Sequence, residues 1–262
     1  MSAPSLKYEL FGDGQHPIVL LHGFLGDNRD WIPIINRLSE KFRFLAIDLP
    51  GHGKSRDIGL DFNFAQTAAV ILEILDQEKI STSSLLGYSM GGRIALYSAI
   101  HFPERFSRLI LESASPGIKD DKERHERLAA DQKIAGKLLG MPLADFLRDW
   151  YAMPLFDSIR VHPDLPALLE RRAEHNPAAL SRVLKNLGAG VMPPLWEKLR
   201  ALPTPVHFIF GEKDKKYTNI ANEMRGQNAG IFLHKIKNSG HNSHFENPAE
   251  FCNVLRKIFS EE

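Results

Sequence analysis

One cysteine, Cys252, stands in 262 residues. A lone cysteine excludes an internal disulfide and a thiolate-rich metal cluster, and the apolar-periodic run Phe251-Cys252-Val254-Leu255-Ile258-Phe259 predicts that it is buried packing. Excess charge is missing too, since 33 Lys plus Arg against 32 Asp plus Glu leave a formal net charge of +1. With no Lys/Arg block and no basic run interleaved with aromatics, nucleic acid is not an expected partner. No apolar stretch approaches the roughly 20 residues of a membrane-spanning helix. Residues 1–10 lack the apolar core of a signal peptide. The expectation is therefore a cytoplasmic chain with no membrane partner. Internal repeats and low-complexity segments are absent as well.

What is present is the composition of a folded, soluble chain: 43% hydrophobic and 25% charged residues. Short apolar runs at Pro17 to Leu21, Phe42 to Ile47, Ser84 to Leu86, Arg108 to Leu111, Val206 to Phe210 and Ile231 to Ile236 read as buried parallel strands. Between the second and third, Phe64, Ala68, Ile71, Leu72 and Leu75 recur at helical spacing, and Asn63 with Gln66 resembles a capping-box start. Strand alternating with helix predicts an α/β fold with a mostly parallel, doubly wound sheet. The alternation stops after Leu111. From about Ser115 to about Leu202 the pattern is helical and broken by prolines. The expected organisation is a core in two parts, residues 1–115 and 203–262, with a helical lid at 116–202 inserted between two sheet strands. Such a lid would cover the carboxyl edge, where open α/β sheets bind ligands.

Gly87-Tyr88-Ser89-Met90-Gly91 is a G-x-S-x-G pentapeptide at a strand-to-helix junction, the sequence form of a nucleophile elbow. A serine hydroxyl is chemically weak by itself, so a histidine and an orienting carboxylate are required. Asp214 follows the strand Val206 to Phe210 through Gly211-Glu212-Lys213, and His241 follows the last strand through Lys237-Asn238-Ser239-Gly240. Ser, Asp, His is the chain order of α/β hydrolases. Glu212 and His244 are the nearest rivals. An oxyanion hole would use the amides of Met90 and of Phe24, the latter in the loop Leu21-His22-Gly23-Phe24-Leu25-Gly26. That loop carries no G-x-G-x-x-G and no G-K-[ST], so a phosphate-binding reading of it is weak. His22 and His52 are expected to brace loops. Asp48-Leu-Pro-Gly-His-Gly-Lys-Ser55 resembles a structural turn of the same superfamily. His241 and His244 have no third ligand placed with them, so no metal is expected, and the chemistry requires no cofactor.

Three longer motifs narrow the superfamily: Gly87-Tyr-Ser-Met-Gly-Gly-Arg93, Asp149-Trp-Tyr-Ala-Met-Pro-Leu-Phe156 and Gly240-His-Asn-Ser-His-Phe-Glu-Asn-Pro248. With His22 to Gly26 and Glu112 to Gly117, the chain resembles the family of 2-succinyl-6-hydroxy-2,4-cyclohexadiene-1-carboxylate synthases, lyases of menaquinone biosynthesis with the α/β-hydrolase fold. The resemblance spans nearly the whole chain. It implies elimination of pyruvate from 2-succinyl-5-enolpyruvyl-6-hydroxy-3-cyclohexene-1-carboxylate, with Ser89 taking a ring proton. It also implies Arg93, Arg127 and Arg172 as carboxylate binders and Tyr88 and Trp150 as pocket walls. Arg124 and Arg171 rival their neighbours. A polycarboxylate small molecule is thus the expected partner, with oligomeric state left open. The alternatives are a serine carboxylesterase or C–C bond hydrolase of the same fold and, more remotely, a non-enzymatic ligand receptor.

Overall fold

Strands apolar on both sides need cover on both faces, and the computed structural model, which describes residues 6–56 and 62–260, supplies it. Residues 1–5, part of the stretch read for a leader, lie outside the described residues. The strands are β1 (Tyr8–Phe11), β2 (His16–Leu21), β3 (Phe42–Ile47), β4 (Ser83–Tyr88), β5 (Phe106–Glu112), β6 (Val206–Gly211) and β7 (Ile231–Ile236). They form one sheet in the order β1-β3-β2-β4-β5-β6-β7. Every pairing is parallel except β1 with β3.

Helices α1 (Ile32–Leu38), α2 (Phe64–Gln77) and α3 (Met90–His101) belong to the first part of the chain. Between β5 and β6 lie α4 (Asp121–Gly140), α5 (Leu143–Tyr151), α6 (Asp157–Arg160), α7 (Leu165–Arg172), α8 (Pro177–Leu187) and α9 (Trp196–Arg200). The chain ends through α10 (Lys215–Gln227), α11 (Ser243–Glu246) and α12 (Pro248–Ser260). One face of the sheet is covered by α2, α3 and α10, through residues such as Ile71, Ile94 and Met224. The other face is covered by α1 and α12, where Ile35, Phe251 and Cys252 pack together. The α4–α8 segment has its own apolar cluster, including Leu138, Phe146, Phe156 and Leu180. Val183 and Leu187 on its last long helix join the sheet core instead, which ties the segment down. No helix among the described residues is long and apolar enough to cross a membrane.

The six apolar runs are all strands: β3 and β7 have the bounds of their runs, and the other four are one to three residues longer. The seventh, β1, is a half-buried edge strand of four residues with no continuous apolar run. Asn63 caps α2 as its spacing predicts: its side chain accepts from the Gln66 amide at 2.9 Å while Gln66 Oε1 accepts from the Asn63 amide at 3.0 Å. The turn after β3 is organised by buried Asp48, which accepts from the amides of Asn28 (2.7 Å) and Lys54 (2.8 Å). Gly53 sits at φ +48° against that carboxylate, where any Cβ would strike it.

Candidate active site

Ser89 lies between the end of β4 and the first residue of α3 with φ 51° and ψ −106°, a left-handed conformation that costs a non-glycine residue energy. Its amide donates to the Glu112 carbonyl at 2.9 Å, and its carbonyl accepts from the Arg93 amide at 3.0 Å. A Cβ on Gly91 would strike the Leu21 carbonyl, so only glycine lets α3 start this close to β2. The strained turn therefore turns Oγ away from the sheet, as a nucleophile elbow requires.

Toward Oγ comes the imidazole of His241, its Nε2 at 3.1 Å. The opposite nitrogen, Nδ1, is 3.0 Å from Asp214 Oδ2. With Nδ1–H donating to the carboxylate, Nε2 is left to accept the Ser89 proton. Asp214 is itself fixed, because its Oδ1 caps α10 by accepting from the Tyr217 amide at 3.0 Å. Glu246 holds the His241 turn from below. Its carboxylate accepts from the amides on both sides of the histidine, Gly240 at 2.8 Å and Asn242 at 3.1 Å. That grip is the physical content of the G-H-N-x-H-x-E motif.

The two rival residues are engaged elsewhere. Glu212 accepts from the Asn238 amide at 3.1 Å. His244 is buried against fully buried Glu112, with its amide 3.0 Å from Oε1 and its Nδ1 2.6 Å from Oε2. Its ring stacks on Trp31 at 4.3 Å.

As the first residue of α3, Met90 has an amide without an intrahelical acceptor. On the facing loop the Leu25 amide donates to His52 Nε2 at 3.1 Å and the Gly26 amide to the Gly23 carbonyl at 2.9 Å, which fixes the chain around Phe24. His22 accepts from the Leu49 amide through Nε2 at 2.9 Å, and His175 donates to the Leu25 carbonyl at 2.8 Å. Burial lowers the pKa of His22, His52 and His175, the last to about 4. All three brace this loop as neutral rings.

Ser89, Phe24, Met90 and His241 open into one cavity of about 330 Å³, which Tyr88, Arg93, Arg127, Trp150 and Arg172 also line. The size suits a small-molecule ligand. Trp150 meets Phe24 edge to face at 5.2 Å, and Tyr88 packs 5.3 Å from the His241 ring. Burial, then the charge of Glu112, raises the pKa of the Tyr88 phenol well above its ordinary value. The three arginines differ. Arg93 donates to the Leu187 carbonyl at 3.1 Å, and burial pushes its pKa down to about 10. Arg127 pairs with buried Asp131 at 2.7 Å. Arg172 is 3% exposed and pairs with Asp30 at 2.7 Å. Burial opposes its charge, but Asp30 and then Tyr151 more than offset this and raise its pKa. Of their neighbours, Arg124 bonds Asp121 at 2.7 Å and Arg171 lies 3.2 Å from Asp30; neither lines the cavity.

Sequence reasoning passed over Asp30, Lys216 and Tyr217, which line the cavity too. Tyr217 had a signal, its place three residues after Asp214 on a helix. Asp30 had none, because its arginine partner is 142 positions away.

A model of the alpha/beta hydrolase family matches residues 18–254. The 2-succinyl-6-hydroxy-2,4-cyclohexadiene-1-carboxylate synthase of Serratia proteamaculans (strain 568) is 37% identical over 250 residues, covering 94% of this chain and 94% of its own length. The chloroplastic protein PHYLLO of Arabidopsis thaliana is 33% identical over 259 residues, which are 92% of this chain but only 15% of the plant protein. Among solved structures, that of MenH from S. aureus has a TM-score of 0.93 at 33% identity, covering 97% of this chain and 98% of that one.

Proposed function

Because this chain belongs to the alpha/beta hydrolase family, and within it to the 2-succinyl-6-hydroxy-2,4-cyclohexadiene-1-carboxylate synthases, we propose that it eliminates pyruvate from 2-succinyl-5-enolpyruvyl-6-hydroxy-3-cyclohexene-1-carboxylate in menaquinone biosynthesis. One observation carries the reading: the Ser89–His241–Asp214 relay opens into a cavity that also holds Arg93, Arg127 and Arg172. A neutral ester needs no such set of guanidinium groups. A substrate with three carboxylates does, since each can take a charge-assisted, bidentate pair in a partly dry cleft.

His241 Nε2 takes the Ser89 proton, and Oγ in turn removes the ring proton beside the succinyl ketone. The electron pair moves into the ring, shifts the double bond and breaks the C–O bond of the enolpyruvyl ether. The leaving enolate regains a proton and ketonises to pyruvate, so no water is consumed. Asp214 stabilises the imidazolium formed on the way, while the Phe24 and Met90 amides hold the charge that develops on the ketone oxygen. Tyr88 and Trp150 wall the ring. The substrate is a small soluble anion, in keeping with action in the cytoplasm.

A lactate dehydrogenase-coupled assay of pyruvate release tests the proposal. Turnover of many equivalents supports it. Hydrolysis of neutral esters with no pyruvate release would assign the same relay to a hydrolase.

A further inference from the structure

Five Lys or Arg side chains line the cavity, against the three carboxylates of Asp30, Glu123 and Glu223. Arg172 is paired with Asp30, which also meets Arg171, Arg127 is paired with Asp131, and Lys119 with Glu223. The remaining two, Arg93 and Lys216, have no carboxylate within ion-pair distance among the described residues. Both line the cavity; burial lowers the pKa of Lys216 first, and the charges of Arg127 and Arg93 lower it further, with Asp214 opposing.

The place of Lys216 in the chain is as telling as its charge. It is the second residue of α10, in a first turn that contains Lys215 and no acidic residue. The amino end of a helix carries partial positive charge and disfavours cations. The residue as a whole is exposed at the rim, yet its ammonium sits over the buried Tyr217 ring, 5.4 Å from the centroid. A cation set against a helix dipole and beside two other cations breaks a local rule, and such breaks mark functional positions.

We infer that Lys216 is a specificity-determining contact for the terminal carboxylate of the substrate's succinyl chain, acting with Arg93. This rests on the lyase reading above, which puts the succinyl ketone at the Met90 amide. Arg93 and Lys216 line the same cavity as Met90. The far end of a four-carbon chain anchored at that amide then meets the two unpaired cations.

The test compares two stable ligands in calorimetric titrations: 2-succinylbenzoate, and 2-butanoylbenzoate, which keeps the ring and ketone but lacks the chain carboxylate. Lys216→Met is expected to weaken 2-succinylbenzoate by about tenfold or more and to leave 2-butanoylbenzoate within about twofold. Lys216→Arg retains most of the affinity. Lys215→Met, adjacent but outside the cavity, behaves as wild type. The thermal midpoint of Lys216→Met does not fall, because an unfavourable helix-end cation has been removed. Equal affinities in wild type and Lys216→Met, equal losses for both ligands, or no binding of 2-succinylbenzoate to wild type would overturn the inference. Charge-dependent binding without pyruvate release would retain the subsite and refute the lyase reading alone.

Discussion

Asp30 and Arg172 show how a single side chain acts at this site. Both are more than nine-tenths buried, and their contact at 2.7 Å connects the loop after β2 to α7. Breaking such a pair leaves an uncompensated charge in a dry place, which costs more than the intact pair contributes. Asp30→Asn should lower unfolding free energy by about 3 kcal/mol, read from urea denaturation; a loss within about 0.5 kcal/mol, typical of an exposed pair, would contradict the assignment. Asp30 and its pairing with Arg172 were not legible in the sequence, since nothing local signals a partner so distant in the chain. Ser89, Asp214 and His241 were nameable, because each follows an apolar run that reads as a strand and so falls at one sheet edge. The cavity arginines sat between these cases. Arg93 is placed by its offset from Ser89, whereas Arg127 and Arg172 came only from family resemblance, with Arg124 and Arg171 as open rivals.

At the scale of elements, local chemistry decided what could be read. The capping box at Asn63 and Gln66 is self-contained within four residues, and α2 begins there. Asn63→Ala should therefore cost about 1 kcal/mol of stability with no change in turnover, measured by thermal unfolding beside the activity assay; an unchanged midpoint would show that packing alone sets the helix start. The central strands were legible as apolar runs because both of their faces are covered. Strand β1 was not, for its Tyr8-Glu9-Leu10-Phe11 is a short edge strand with three half-buried positions, an exposed Leu10 and no buried one. The helices between β5 and β6 were legible as helical, but amphipathic spacing does not say which face meets which neighbour. That α8 gives Val183 and Leu187 to the sheet core and Leu180 and Leu184 to the helical cluster is a property of tertiary packing.

Across the whole molecule, His22, His52 and His175 join the loop carrying Phe24 to the β3 turn and to the segment after α7, all as buried neutral rings. Their folded pKa values lie below the ordinary value near 6.5, that of His175 at about 4. An unfolded chain binds these protons at higher pH than the folded one does. Stability is therefore full above about pH 6.5 and falls as the pH drops toward 4, with the slope set by the extra protons of the unfolded state. Urea midpoints between pH 7.5 and 4.5 should show the decline, and His175→Gln should reduce its steepness; a flat profile would contradict neutral burial. The chemistry turns on Ser89 serving as a base in pyruvate elimination. Pyruvate release from 2-succinyl-5-enolpyruvyl-6-hydroxy-3-cyclohexene-1-carboxylate by wild type and Ser89→Ala is the most direct measurement. Wild type should release many equivalents of pyruvate per enzyme, and the variant should be slower by about 10³-fold or more. No pyruvate above background, or equal rates in the two proteins, would rule out Ser89 as that base.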